Sequence, residues 1–212
     1  MKKRISVAQI GVGYWGPNLL RNLVASQSVN VKKVVDFSRD RRDYVSGLYP
    51  AVSVTDKAEE VFSDPDIQAV VIATPVATHF GLVMQALNAG KHVLVEKPMA
   101  TSEEEMAKIG ELAGEKNLVA MVGHTFLYNS AVRYVKGLID SGDLGDIRYI
   151  YSQRVNLGRI RSDVDALWNL APHDISIIQY WLGGLAPISV KRSGMAYVQN
   201  GVEDVVFMNV VY

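Results

Sequence analysis

Short apolar runs alternate along the first half of the chain with segments whose apolar residues recur at helical spacing. The runs "ISVAQI", "VKKVVDF", "AVVIAT" and "HVLVE" predict strands. The segments "YWGPNLLRNLVAS" and "ATHFGLVMQALNAG" between them predict helices. Because the strands are apolar on both faces, the pattern favours a parallel sheet covered by helices on each side. We therefore expect a doubly wound Rossmann-type α/β domain.

Local signals predict where several helices begin and end. Thr55 and Asp56 predict the cap of a short helix that reaches Phe62, and Gly90 predicts the end of a later helix. Ser102 with Glu105 predicts a capping box at the start of the next helix. The strand "LVAMVG" then closes this half of the chain.

The pattern changes after Gly123. The segments "NSAVRYVKGLIDSG" and "APHDISIIQYWLGG" predict helices, whereas "DIRYIYSQRVNL", "PISVKRSGMAYVQ" and "EDVVFMNVVY" predict strands. We expect residues 1–122 to form the Rossmann domain and residues 123–212 to form an α+β domain with a mostly antiparallel sheet. The last strand pattern runs to Tyr212, so we expect this second sheet to be incomplete.

Composition narrows the function classes. Lys plus Arg and Asp plus Glu number 22 each, which argues against nucleic acid or an anionic membrane as partner. The chain has no cysteine, which excludes disulfides and thiolate chemistry. The basic start at Lys2 to Arg4 imitates a signal peptide, but its apolar run is short, so we assign it to a first strand of a cytoplasmic protein.

The stretch "GVGYWG" places Gly11, Gly13 and Gly16 in G-x-G-x-x-G spacing. It follows a predicted strand and opens a predicted helix, and Asp36 lies at the end of the next strand. Glycines there allow the tight turn, the approach of a pyrophosphate and close helix packing, while an acidic residue accepts hydrogen bonds from ribose hydroxyls. We predict a dinucleotide site.

Asp36 also bears on which dinucleotide binds. A carboxylate at this position repels a 2′-phosphate, which favours NAD over NADP. Three basic residues that follow could offset this repulsion: Arg39, Arg41 and Arg42.

Several chemically able residues follow predicted strands. Thr74 and Pro75 follow "AVVIA", Glu96, Lys97 and Pro98 follow "HVLV", and His124 follows "MVG". The carboxyl ends of parallel strands meet at one edge, where ligands bind. No His, Asp or Glu grouping has metal-ligand spacing, so we predict no metal.

The segments "AQIGVGYWG", "VVIATPVATH", "GKHVLVEKPMA" and "WNLAPHDISIIQYWLGG" together resemble the Gfo/Idh/MocA oxidoreductase family, named after glucose–fructose oxidoreductase, inositol dehydrogenase and a rhizopine-catabolism protein. The resemblance implies that Lys97 lies near the reacting carbon and the nicotinamide. It implies that His173 exchanges the proton of a substrate hydroxyl, which suits an imidazole. The family usually carries a carboxylate at position 169, where this chain has Asn169.

These considerations yield the candidate site. The candidate catalytic residues are Lys97 and His173. The candidate cofactor-binding residues are Gly11, Gly13, Tyr14, Trp15, Gly16, Asp36, Thr74, Pro75, His79, Glu96 and Lys97. The candidate substrate-binding residues are His124, Asn129, Gln153, Arg154, Arg159, Arg161, Trp168, Asn169 and His173.

The expected function is hydride transfer between nicotinamide and a hydroxyl carbon of a sugar. Arg159 and Arg161 suit phosphate, and the wording around them resembles the family's polysaccharide-biosynthesis branch, so we favour a UDP-sugar. The resemblance also implies a homo-oligomer that assembles through the second sheet. Two alternatives stay open: a non-catalytic dinucleotide-binding regulator, and an interaction module with a vestigial glycine loop.

Overall fold

The computed structural model describes residues 4–156 and 164–212. The chain divides into two compact units, Met1–Gly123 and His124–Tyr212. The candidate residues Arg159 and Arg161 lie outside the described residues.

The first unit alternates strands and helices, as the apolar pattern predicts. Its strands are β1 (Ile5–Ile10), β2 (Val29–Val35), β3 (Ser53–Thr55), β4 (Ala69–Ile72), β5 (His92–Val95) and β6 (Ala120–Val122). Its α-helices are α1 (Gly16–Ala25), α2 (Arg39–Leu48), α3 (Glu59–Phe62), α4 (His79–Asn88) and α5 (Glu103–Glu115).

The six strands form one parallel sheet in the order β3-β2-β1-β4-β5-β6. The chain proceeds outward from β1 in one direction through β2 and β3, and then in the other direction from β4 to β6. The direction reverses between β1 and β4, which is where open α/β sheets bind ligands. The doubly wound fold expected from the sequence is confirmed.

The sheet is buried on both faces because alternate side chains of each strand enter different cores. On β1, Val7 packs in the cluster that contains Leu20 of α1, whereas Ala8 and Ile10 pack in the cluster that contains Leu87 of α4. This double burial explains why the strands read as almost continuous apolar runs.

A predicted helix cap explains where α5 begins, and another predicted cap is wrong. Ser102 caps α5 by accepting from Glu105 N–H at 3.2 Å, and the Glu105 carboxylate accepts from Thr101 N–H at 2.9 Å. The predicted cap at Thr55 and Asp56 is incorrect, since α3 begins only at Glu59. The Thr55 hydroxyl instead accepts from Lys57 N–H at 3.2 Å and donates to Glu60 Oε1 of α3 at 3.1 Å.

The second unit contains α6 (Ser130–Asp140), α7 (Ala166–Trp181), β7 (Ser189–Met195) and β8 (Val205–Val211). Strands β7 and β8 pair antiparallel, with Ser189 opposite Val211, as the predicted α+β character requires. None of the helices in residues 4–156 and 164–212 has both the length and the apolar character needed to cross a membrane.

The predicted strand over "DIRYIYSQRVNL" is wrong in its described part, because residues 146–156 have no strand conformation. Alternating apolar residues indicate a strand only when one face becomes buried. Here Tyr149, Tyr151 and Val155 are 84%, 78% and 80% exposed. The pattern is present in the sequence, but these three side chains are not covered by the part of the chain that the structure describes.

Candidate active site

The loops that follow β1, β4 and β5 are held at one edge of the first sheet. Gly11 N–H donates to Val35 O at 2.8 Å, Ala73 N–H donates to Ile10 O at 2.8 Å, and Glu96 N–H donates to Ile72 O at 2.9 Å. Each bond extends a strand pairing by one residue beyond the strand itself. The glycine loop, the Thr74 loop and the Glu96–Pro98 loop therefore leave the sheet side by side.

Two of the three loop glycines are required by the close approach of backbone. Gly11 has φ +94°, and a Cβ there would lie 2.5 Å from Ala73 O. A Cβ at Gly16 would lie 2.5 Å from Gly11 O. Gly13 differs, since no heavy atom within the described residues would come within 4 Å of a Cβ there. The loop is thus tightly folded at its ends and leaves open space above Gly13.

Gln9 holds the two ends of this loop together. It is fully buried in β1, and its Nε2 donates to Gly11 O and to Gly16 O, both at 2.9 Å. The sequence reasoning did not select Gln9. The signal was available, because a polar residue inside a buried apolar strand must find hydrogen-bond partners.

Asp36 lies beside the first turn of the glycine loop. Its Oδ2 accepts from Val12 N–H at 2.8 Å and its Oδ1 accepts from Ser38 N–H at 2.9 Å. A carboxylate has about four acceptor positions, so these two bonds leave capacity for ribose hydroxyls. Arg42 Nη1 donates to Asp36 O at 2.7 Å and to Phe37 O at 3.0 Å, and its Nη2 lies 3.9 Å from Asp56 Oδ2.

The Thr74 loop is ordered by a short chain of hydrogen bonds. The Thr78 hydroxyl donates to Pro75 O at 2.7 Å, and therefore accepts from the Thr74 hydroxyl, also at 2.7 Å. His79 begins α4 behind this loop, is 1% exposed, and has both ring nitrogens beside backbone carbonyls. His79 is thus part of the loop's support.

Glu96 connects the loops through a carboxyl group that is largely withdrawn from solvent. Burial raises the pKa of Glu96 above its usual value, although the N–H and charge of Lys97, the charge of His79 and a hydrogen bond from Trp15 act in the opposite direction. Trp15 belongs to the glycine loop, so Glu96 links that loop to Lys97. Lys97 is half-buried, and the Lys97–Pro98 peptide bond is cis.

The raised pKa of Glu96 predicts that the free energy of unfolding depends on pH. A carboxyl group whose pKa is higher in the folded chain than in the unfolded chain stabilises the fold fully when the pH is below about 4.5, the ordinary pKa of the group. This contribution is lost as the pH rises through the pKa of the folded chain. We expect wild type to lose stability relative to Glu96→Gln as the pH is raised from about 4.5 to neutrality. Urea unfolding of both proteins across this range measures the difference.

Glu104→Gln is the control for this experiment. Lys108 lowers the pKa of Glu104 on the exposed face of α5, so its small contribution has the opposite pH dependence. A stability difference between wild type and Glu96→Gln that is constant with pH would contradict the buried-carboxyl interpretation.

In the second unit, α7 carries the candidate proton carrier. Asp165 caps the helix by accepting from Trp168 N–H at 2.8 Å. Asn169 and His173 are four residues apart in the helix and share one face, as the sequence spacing predicts. The Ser176 hydroxyl donates to His173 O at 2.8 Å. His173 thus lies within α7, directly after Pro172.

The His173 ring belongs to a cluster with an aromatic ring and an ion pair. The Phe126 ring meets it edge-on, with 4.8 Å between centroids and 61° between planes. The Arg154 guanidinium lies over Phe126 at 4.8 Å and bonds both oxygens of Asp174, at 2.7 and 3.2 Å. Phe126 thus contacts both the His173 ring and the Arg154 guanidinium.

Asp174 is the negative partner in this cluster. Burial on its own raises the pKa of Asp174, but hydrogen bonds from Arg154 and Ser152 and the charges of Arg154 and His173 outweigh it, so the pKa lies below its usual value. Arg154, a candidate substrate contact, thus has a fixed anionic partner. Asp174 was not among the candidates, although its position directly after His173 was a signal.

The other candidate substrate contacts of the second unit lie in turns, at helix starts and on exposed segments. His124 precedes a 3₁₀ turn, Thr125–Tyr128, and its carbonyl accepts from Leu127 N–H at 3.1 Å. The Asn129 side chain caps α6 by accepting from Ala131 N–H at 2.9 Å, and it lines a shallow depression together with Phe126. Gln153 is exposed, and Trp168 is 39% exposed. Their roles in substrate binding stay predictions.

Comparison with known proteins gives several related enzymes. The chain is 31% identical over 171 residues to the scyllo-inositol 2-dehydrogenase (NADP(+)) IolW of Bacillus subtilis. This match covers 79% of the present chain and 47% of IolW. It is 33% identical over 134 residues to the UDP-N-acetylglucosamine 3-dehydrogenase of Acidithiobacillus ferrooxidans, covering 63% and 41% of the two chains.

A solved structure matches the fold of almost the whole chain. The yvaA protein of Bacillus subtilis superposes with a TM-score of 0.87 and 27% identity, over 99% of this chain and 62% of that one. The chain spans about half the length of the curated relatives it matches.

A sequence profile for the oxidoreductase family with the NAD-binding Rossmann fold matches residues 5–124. That match contains the glycine loop, Asp36 and the Glu96–Pro98 loop, which are the parts of the first unit that lie along one edge of the sheet. The protein belongs to the GFO_IDH_MocA oxidoreductase family.

Proposed function

We propose that the protein is an NAD-dependent oxidoreductase that transfers a hydride between nicotinamide and a hydroxyl carbon of a sugar or cyclic polyol. The observation that carries the proposal is the edge of the first sheet. There, a glycine cradle and the Asp36 carboxylate lie at the same sheet edge as the loop that carries Lys97. Two relatives support this reaction class, since one is a dehydrogenase of an inositol and the other is a dehydrogenase of a nucleotide-linked sugar.

The residues present fit a dinucleotide. The space above Gly13 suits a pyrophosphate that approaches the backbone, and the N-terminus of α1 provides N–H groups and a favourable dipole for it. Asp36 retains acceptor capacity for the adenosine ribose. The same carboxylate disfavours a 2′-phosphate, and Arg42, which could neutralise such a phosphate, is bonded to carbonyls. NAD is therefore the expected cofactor.

The chemistry divides between the bound cofactor and two side chains of this chain. When bound, NAD supplies the acceptor for the hydride. We propose that His173 takes the proton of the substrate hydroxyl, because an imidazole can accept and release a proton near neutral pH. Lys97 stabilises the negative charge that develops on that oxygen. Asn169 lies on the same helix face as His173. Its amide can form a hydrogen bond with the substrate hydroxyl but cannot take the proton of that hydroxyl.

Within this reaction class we propose a UDP-sugar as substrate. A diphosphate requires cationic groups, and arginine binds phosphate with two parallel hydrogen bonds. The sequence places two such groups close together at Arg159 and Arg161. The related UDP-N-acetylglucosamine 3-dehydrogenase supports this choice.

A titration with NADH and with NADPH tests the cofactor site. Saturable quenching of tryptophan fluorescence by NADH, at concentrations at least about tenfold lower than for NADPH, is expected. Gly13→Ala should weaken NADH binding by about tenfold or more, because the added Cβ enters the space assigned to the pyrophosphate. The same variant should unfold at the same urea concentration as wild type, since a Cβ at Gly13 would meet no described heavy atom within 4 Å.

Gly47→Ala in α2 is the matched control, because its added Cβ would also meet no described heavy atom within 4 Å. This variant should bind NADH like wild type. If Gly13→Ala bound NADH as tightly as Gly47→Ala, the cofactor would not lie over the glycine loop. A turnover screen with UDP-sugars, free sugars and inositols then tests the substrate class.

A non-catalytic regulator on the same fold is the second candidate function. Asn169 favours it, because an amide replaces the carboxylate that the family usually carries at this position. The regulator hypothesis expects tight NADH binding without turnover of any substrate in the screen. Oxidation of a single UDP-sugar or polyol at the expense of NAD would reject it.

A further inference from the structure

Both ring nitrogens of His79 lie against backbone carbonyls, and the predicted role of His79 in cofactor binding does not require these contacts. The residue is 1% exposed at the first position of α4. Its Nδ1 lies 2.7 Å from Pro98 O, and its Nε2 lies 2.8 Å from Thr74 O. Both distances are within the range of strong N–H···O hydrogen bonds.

The two contacts together specify the charge of the ring. A backbone carbonyl can only accept a hydrogen bond, so each ring nitrogen must donate. A neutral imidazole carries one N–H and could satisfy only one of the two carbonyls, with its other nitrogen facing an oxygen lone pair. The imidazolium carries two N–H groups and satisfies both. In a buried position, this difference decides the protonation state.

The two carbonyls belong to different loops of the site. Thr74 O lies in the loop after β4, whose hydroxyl chain orders a candidate cofactor contact. Pro98 O lies directly after Lys97, in the loop after β5. The ring of His79 therefore connects the cofactor side of the sheet edge to the loop that presents Lys97.

A carboxyl group near His79 favours the cationic form of its ring. Glu96 interacts electrostatically with His79, and it also interacts with Lys97 in its own loop. A carboxylate in this position compensates for the burial of an imidazolium.

We propose that His79 is a buried imidazolium and a positioning residue, which ties the Thr74 loop to the Lys97–Pro98 loop and thereby holds Lys97 in place. The proposed charge state stands on the contacts of His79 alone. The effect on turnover rests on the proposed function, because it assumes that Lys97 acts on substrate.

Nitrogen NMR of the wild-type protein tests the charge state directly. The chain has four histidines, so the His79 signals can be assigned by their loss in His79→Gln. At neutral pH we expect both ring nitrogens of His79 to resonate in the range of protonated nitrogen, each coupled to its own hydrogen. One nitrogen in the unprotonated range would establish a neutral ring and overturn the proposal.

Kinetics of His79→Gln test the positioning role. The glutamine amide can donate to one carbonyl but leaves the other unpaired, so we expect kcat to fall by about tenfold, with KM for substrate within about threefold of wild type. His92→Gln is the matched control. His92 lies at the opposite end of β5, where its Nδ1 accepts from Val119 N–H at 3.0 Å, and this variant should retain wild-type kcat.

A double variant separates positioning from a general loss of structure. If His79 acts through Lys97, adding His79→Gln to Lys97→Met should reduce the residual kcat by less than about twofold. A further tenfold loss would show that His79 acts independently of Lys97 and would overturn the positioning role. If wild type oxidised no substrate, the proposed function would fail, and the nitrogen spectrum would still decide whether His79 is charged.

Discussion

Lys97→Met is expected to lower kcat by about 10²–10³-fold, which is the usual loss when a group that stabilises a developing oxyanion is removed. Methionine keeps an apolar stem of similar length and removes only the ammonium group. The expected loss is therefore in charge stabilisation rather than in packing. Steady-state kinetics with NAD and the substrate identified by the screen measure kcat, and the fluorescence titration measures separately any loss of NADH affinity, because Lys97 is also a candidate cofactor contact.

Lys108→Met is the control for Lys97→Met. Lys108 is exposed on α5, where it pairs with Glu104 one helical turn away. Exposed pairs of this kind contribute little, so this variant should keep kcat within about twofold of wild type. If Lys97→Met also stayed within about threefold, Lys97 would not act on the reacting hydroxyl.

His173→Gln carries the second large expected effect, a loss of about 10²–10⁴-fold in kcat. Glutamine can form a hydrogen bond to a substrate hydroxyl but cannot take its proton. NADH affinity is expected to remain unchanged, because the candidate cofactor residues lie in the first unit. His92→Gln serves as the control here too, and wild-type turnover in His173→Gln would exclude the imidazole as proton carrier.

The two variants should also be combined. If Lys97 and His173 act on the same hydroxyl in one step, the double variant should be only slightly slower than the worse single variant. Losses that multiply fully would indicate that the two residues act in separate steps or on separate groups.

The fold of the first unit could be predicted from the sequence because local signals and burial agree there. Its strands are apolar on both faces, and each is followed by a helix pattern, which is typical of a covered parallel sheet. The glycine spacing, together with Asp36 at the end of the next strand, predicts the dinucleotide site. The position of Lys97 directly after a buried strand likewise predicts that it lies at the ligand edge.

Other features depend on partners that lie far apart in the chain. Gln9 was missed because its amide satisfies two carbonyls of the glycine loop, which only the folded turn brings within reach. Asp174 was missed because its partner Arg154 is 20 residues earlier in the chain. The strand predicted near Tyr149 is wrong for a different reason, since within the described residues Tyr149, Tyr151 and Val155 of the alternating pattern remain exposed.

The sequence by itself determined the kind of chemistry this protein can perform: a dinucleotide-binding turn, a lysine at a strand end, and a histidine on a helix face. These features rest on residue type and on short-range periodicity, which the sequence states directly. Only the tertiary structure decided how the groups are held and charged. The raised pKa of Glu96, the ion pair of Arg154 and the two carbonyls facing His79 all arise from burial and from contacts between distant segments.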